Sequence, residues 1–188
     1  MSDNNNHNTP SWKHDELVHG YWVAPSRFLA TEYPGHRDED RAKRKIAVLT
    51  AAGVNSFVDL TEAGERAGGG SRMVPYKGLL PDGVNHRRFP IPDTSVIADD
   101  GYDEILDYIR AELDEGRVVV CHCWGGRGRT GTVVGAWLID TEGLSYREAL
   151  ARMEELRAGS RKSERPVPDE PEQYDVLRRR AQRKEAAR

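Results

Sequence analysis

A chain of 188 residues with a net charge of −3 is long enough to bury one core of ordinary domain size. That charge sets up no strong field of either sign, which argues against nucleic acid as a partner. Two cysteines make no disulfide framework, the first residues hold no apolar signal-peptide core, and no apolar run is long enough to span a membrane. The cytoplasm is therefore the expected compartment, and it would also keep a reactive thiol reduced.

Residues 1–10 are polar and Asn-rich, so residues 1–12 are expected to form a disordered tail. One folded domain is expected over residues 13–178. Tyr21-Trp22-Val23 and Phe28-Leu29-Ala30 read as two short strands around Pro25-Ser26. Residues 38–52 read as a basic helix ending at Gly53. Residues 56–60 read as a strand. Residues 64–71 contain three consecutive glycines and read as a flexible loop. Residues 84–89 read as a strand, and residues 102–115 as an amphipathic helix with Asp99 or Asp100 as N-cap. Residues 117–121 form a β-branched run and read as a buried strand. Residues 132–139 read as a buried helix. Residues 145–157 read as a helix whose Ser145 and Glu148 make a capping box, and a last helix starts after Pro171. The tail 179–188 is expected as a basic helix end. From Arg178 onward it carries six basic residues and one acid, and it reads as a frayed, solvated end. Strands alternating with helices imply an α/β architecture, with a central, largely parallel sheet flanked by helices.

The most informative run is His122-Cys123-Trp124-Gly125-Gly126-Arg127-Gly128-Arg129-Thr130. It joins a strand to a helix N-terminus, where free N–H groups and the helix dipole favour a bound dianion. Gly125, Gly126 and Gly128 let the backbone curl around phosphate oxygens. The same environment favours a Cys123 thiolate. Arg129 can place a bidentate fork on two phosphate oxygens. The Thr130 hydroxyl can donate to the thiolate, and His122 is suited to orienting the loop.

Rival readings of this run are weaker. Residues 126–131 match GxGxxG, but a helical pattern follows where a dinucleotide site needs a second strand. A nucleotide P-loop needs a Gly-Lys-Ser/Thr triplet, which is absent. Cys121-His122-Cys123 could be half of a metal site, but no other cysteine exists to complete it. No metal or other cofactor is expected.

The run resembles the His-Cys-x5-Arg-Ser/Thr signature of cysteine-dependent protein tyrosine and dual-specificity phosphatases. His122, Cys123, Arg129 and Thr130 fill its four defined places. Residues 21–30 and Asp59-Leu60-Thr61-Glu62 are similar to segments of the bacterial-type dual-specificity enzymes. The sulfurtransferase loop also carries a Cys and an Arg but is typically shorter. The resemblance implies a phosphate loop bearing residues 124–129, a phosphocysteine intermediate, and a substrate that is a phosphorylated protein or small phosphorylated molecule. It also implies a proton-donating aspartate about thirty residues before the cysteine, and Asp93 lies 30 positions upstream of Cys123. Asp99 and Asp100 are the competitors. Arg127 resembles the loop cation of lipid and inositol phosphatases, with a solvated arginine as the alternative. Gln173 resembles a glutamine that positions the hydrolytic water in some relatives. Glu62 and Tyr76 are read mainly as structural, with the substrate cleft as the alternative. Cys121 is read as a buried structural thiol. A catalytically silent phosphate-binding module is the rival function.

Overall fold

The structure is a computed structural model that describes residues 11–67 and 70–187. Residues 1–10, glycines 68 and 69, and residue 188 lie outside the described residues. The expected tail over residues 1–12 ends short of Trp12, which is buried in the core and whose Nε1 donates to the Val18 carbonyl at 2.8 Å.

Among the described residues five strands form one sheet: β1 (Gly20–Ala24), β2 (Phe28–Thr31), β3 (Val54–Asp59), β4 (Asn85–Arg88) and β5 (Val118–His122), in the order β1-β2-β5-β3-β4. Every neighbouring pair is parallel except the edge pair β1–β2. The described residues also form five α-helices: α1 (Glu39–Ala51), α2 (Asp99–Asp114), α3 (Gly128–Glu142), α4 (Tyr146–Arg157) and α5 (Pro171–Ala186). The expected α/β architecture is therefore what the chain adopts.

Side chains along a strand alternate between the two faces. Phe28, Ala30, Val58, Val119 and Cys121 join the larger core with Tyr102, Ile105, Ile109, Val134 and Leu138. Leu29, Phe57 and Val120 join a second core with Trp12, Trp22, Ile46, Leu49 and Tyr76. Helix α1 covers that second face, and α2 to α5 crowd the first. The four parallel strands end together, in register. Thr31 pairs with His122, His122 with Asp59, and Asp59 with Arg88. The loops that leave this row build the site, at the carboxyl ends of the strands.

Several expectations need correction. Helix α2 begins at Asp99, with Ala98 as N-cap, so Asp99 and Asp100 sit in its first turn. There their charge still complements the dipole. Helix α3 begins at Gly128, four residues before its apolar run. Helix α5 runs through Arg178 to Ala186, so the expected tail boundary falls inside it. Its end is not merely solvated, because Arg180 is buried and its Nη2 lies 2.6 Å from Asp140 and 2.7 Å from Asp103. Among the described residues beside the expected glycine loop, Ala67 N–H donates to the Ser71 carbonyl and Met73 N–H to the Glu65 carbonyl. Among the described residues no helix is long and apolar enough to cross a membrane.

Candidate active site

Cys123 lies just past the last residue of β5, only 3% exposed, and is a free thiol. The loop after it turns tightly against the end of β2. Gly126 has φ +71°, and a Cβ there would stand 2.7 Å from the Thr31 carbonyl and the Glu32 nitrogen. No other residue type fits this turn without moving β2. The loop is held from both sides: Tyr33 N–H donates to the Trp124 carbonyl at 3.0 Å, and Lys162 Nζ donates to the Gly125 carbonyl at 3.0 Å. Lys162 is itself fixed by Glu32, which also receives Lys45 and Arg161. Burial raises the Glu32 carboxyl, but Lys162 and Lys45 outweigh it and hold the group at about 2.

His122 points to the opposite face of β5 from Cys123. Its Nε2 lies 2.5 Å from the Tyr76 hydroxyl and its Nδ1 lies 3.3 Å from the Cys123 carbonyl. Burial pushes the imidazole down to about 4, against the pull of Asp59. The ring is therefore neutral at pH 7. A carbonyl can only accept, so Nδ1 carries the hydrogen and Nε2 accepts from Tyr76. Tyr76 is thus a buried support of the loop rather than a wall of the cleft. Asp59, also fully buried, anchors the same row through Thr61 and Arg88. Burial pushes the Cys121 thiol well up, consistent with a structural role.

Arg129 is 2% exposed and its hydrogen bonds are nearly complete. Nη1 and Nη2 each donate to Glu65 at 2.7 Å, in a bidentate fork. Nη1 also donates to the Ile91 carbonyl at 3.0 Å, and Nη2 to Asp93 Oδ1 at 2.8 Å. Among the described residues its Nε has no partner. The guanidinium thus keeps one free N–H and one held by the half-exposed Asp93, the two donors a bidentate anion would need. Thr130 Oγ1 is buried without a partner among the described residues.

Glu65 is the site residue that sequence reading missed. It stands 64 positions from Arg129, in a glycine-rich stretch with no motif of its own. The only available signal was the acid that a buried arginine demands. Glu62 N–H donates to Glu65 Oε2 at 3.0 Å, so the neighbour that was singled out steadies the important carboxylate.

The remaining expected residues lie around the loop. Trp124 is 44% exposed at the rim. Arg127 is not solvated alone, because its Nη1 pairs with Asp169 at 2.9 Å. Gln173 is buried beside Gly128, where a Cβ would stand 2.9 Å from its amide oxygen. That oxygen accepts from the Asp169 and Glu170 N–H groups, and Nε2 donates to the Ser95 carbonyl. Gln173 therefore ties the start of α5 to the loop that carries Asp93. Asp99 pairs with Arg179 and Arg183 at α5, away from Arg129.

A family model described as polymorphic toxin system, DSP-PTPase phosphatase matches residues 35–143. The chain belongs to this family. The match spans Glu65, Asp93 and the whole Cys123–Thr130 loop of this DSP-PTPase, and stops before Asp169 and Gln173. Mouse dual specificity protein phosphatase CDC14B is 27% identical over 83% of the chain, which spans 32% of that protein. A putative tyrosine phosphatase of invertebrate iridescent virus 3 is 31% identical, and the chain spans 42% of its length. The chain thus covers less than half of either relative. The solved structure of Tk-PTP in the active form is 30% identical, covers 87% of this chain and 97% of its own, and has a TM-score of 0.64.

Proposed function

We propose that this chain is a phosphomonoester hydrolase acting on phosphotyrosine or phosphoserine/phosphothreonine proteins in the cytoplasm, through a phosphocysteine intermediate. Residues 13–178, together with buried Trp12 and the rest of α5, would form one catalytic domain. The observation that carries the reading is the 2.8 Å contact between Arg129 and Asp93. It brings the candidate proton donor onto the arginine of the cysteine loop.

In the first step the Cys123 thiolate attacks phosphorus. The S–P bond forms, the P–O bond to the leaving group breaks, and Asp93 gives its proton to the departing oxygen. Water then attacks phosphorus, the S–P bond breaks, and Asp93 takes the water's proton. Arg129 and the loop N–H groups hold the equatorial oxygens in both steps. The unpartnered Thr130 hydroxyl suits donation to the sulfur as it attacks and as it leaves. Binding of a dianion displaces Asp93 from Nη2, which frees the carboxyl to turn toward the leaving oxygen. Glu65 keeps the guanidinium in plane meanwhile.

The test is turnover of an aryl phosphate together with acid-quenched mass analysis. The wild type is expected to release phosphate and to show a phosphoryl adduct on the Cys123 peptide, and Cys123→Ser to do neither. Wild-type turnover in the serine variant would remove Cys123 from the reaction. Adduct-free binding by an inert wild type would instead favour the silent binding module. A phosphorylated lipid or small metabolite is the second substrate reading; Arg127 is the loop cation it would use, and that cation is paired with Asp169.

A further inference from the structure

Arg127 is the loop cation that the signature leaves unspecified, and its guanidinium is already engaged. Asp169 Oδ1 lies 2.9 Å from Nη1, with the side chains only 28% and 27% exposed. Asp169 is held in place by the fold. Its N–H donates to Gln173 Oε1 at 3.1 Å, and its Oδ2 lies 3.2 Å from the position a Cβ on Gly128 would take. Arg127, Arg157 and Asp93 are the charged side chains that act on it. The rim of the phosphate loop therefore bears a fixed carboxylate where a bare arginine would otherwise stand.

We infer that Asp169 is a specificity-determining residue: it occupies Arg127 and sets a negative charge at the rim, so the site accepts single phosphomonoesters and disfavours ligands with a second phosphate beside the first. A second phosphate would have to break the Arg127–Asp169 pair and then lie against the freed carboxylate. Both effects oppose polyphosphates and leave an isolated phosphate at Arg129 untouched. The inference rests on the loop being the phosphate site, and it selects the monoester class over the polyphosphorylated runner-up. Asp169 lies in the α4–α5 connection, outside the span that the family model matches.

The test is calorimetric binding of inositol 1,4,5-trisphosphate and of inorganic phosphate to the Cys123→Ser protein. Adding Asp169→Asn is expected to tighten the trisphosphate at least tenfold relative to phosphate. Adding Arg127→Ala on top is expected to remove most of that gain. Equal tightening of both ligands, no tightening, or a gain undiminished by loss of Arg127 overturns the inference. These readouts need no turnover. A wild type inert toward aryl phosphate would sink the hydrolase reading while the binding comparison still stands.

Discussion

Arg129 shows how a single side chain can be committed before any ligand arrives. Glu65 and the Ile91 carbonyl consume three of its donors, and Asp93 a fourth. An arginine this buried is tolerable only because its charge is matched and its hydrogen bonds are made. Asp93 therefore competes with any anion that would take Nη2. Asp93→Asn removes the competing charge and the proposed proton donor together. In the Cys123→Ser background it should bind inorganic phosphate several-fold more tightly. In the otherwise wild-type enzyme it should lower kcat on an alkyl phosphate by roughly 10²–10⁴ and on an aryl phosphate by less, because a phenol needs less help to leave. Unchanged binding would show that Asp93 does not hold the anion's donor. Glu65→Gln keeps the shape but removes the charge. It should lower kcat/KM by at least tenfold on both substrate types, with the loss seen in steady-state kinetics.

At the scale of elements, the site depends on α5 reaching back to two loops. Gln173 caps the turn before α5, packs on the start of α3 and holds Ser95 in the Asp93 loop. Gln173→Ala would strand two N–H groups and a carbonyl. Each unsatisfied buried group costs about 1–3 kcal/mol, and these three are only partly buried and can reach water, so a total loss of roughly 2 kcal/mol is expected, seen as a lower Tm in thermal unfolding. Rate loss without any change in Tm would point instead to a direct role on water. Elements whose signals are local were legible in the sequence. Helix α4 begins at Ser145 with the expected capping box, because both partners lie within one turn. The starts of α2 and α3 were not legible. Asp99 and Asp100 enter the helix because Ala98 caps it without any side-chain bond. The glycines of early α3 are favoured by what packs on them, since a Cβ on Gly131 would stand 2.3 Å from Val167.

On the scale of the whole molecule, Glu32 joins distant parts of the chain. It binds Lys45 from α1 and Arg161 and Lys162 from the α4–α5 connection, and Lys162 continues to the phosphate loop. The Glu32 carboxyl is held at about 2, below its ordinary 4.5. A depressed carboxyl contributes stability that is fully present above pH 4.5 and is lost as pH falls toward 2. Glu32→Gln should cost about 3 kcal/mol at neutral pH, since it leaves buried Lys45 short of a counter-charge. Its unfolding free energy should also fall less steeply than the wild type's between pH 4.5 and 2 in denaturant titrations.

The sequence by itself determined the sheet's alternating strands, the cysteine loop between β5 and α3, and the candidate roles of Cys123, Arg129 and Thr130. Those features depend on spacings of a few residues, within which backbone geometry dictates what meets what. Only the tertiary structure decided that Glu65 holds Arg129, that Arg127 is paired with Asp169, that Gln173 is a tether and that Arg180 is buried. Each of these is a charge or amide matched across dozens of residues. Buried polar groups must find a partner, but which partner is decided by the folded chain and not by any local pattern.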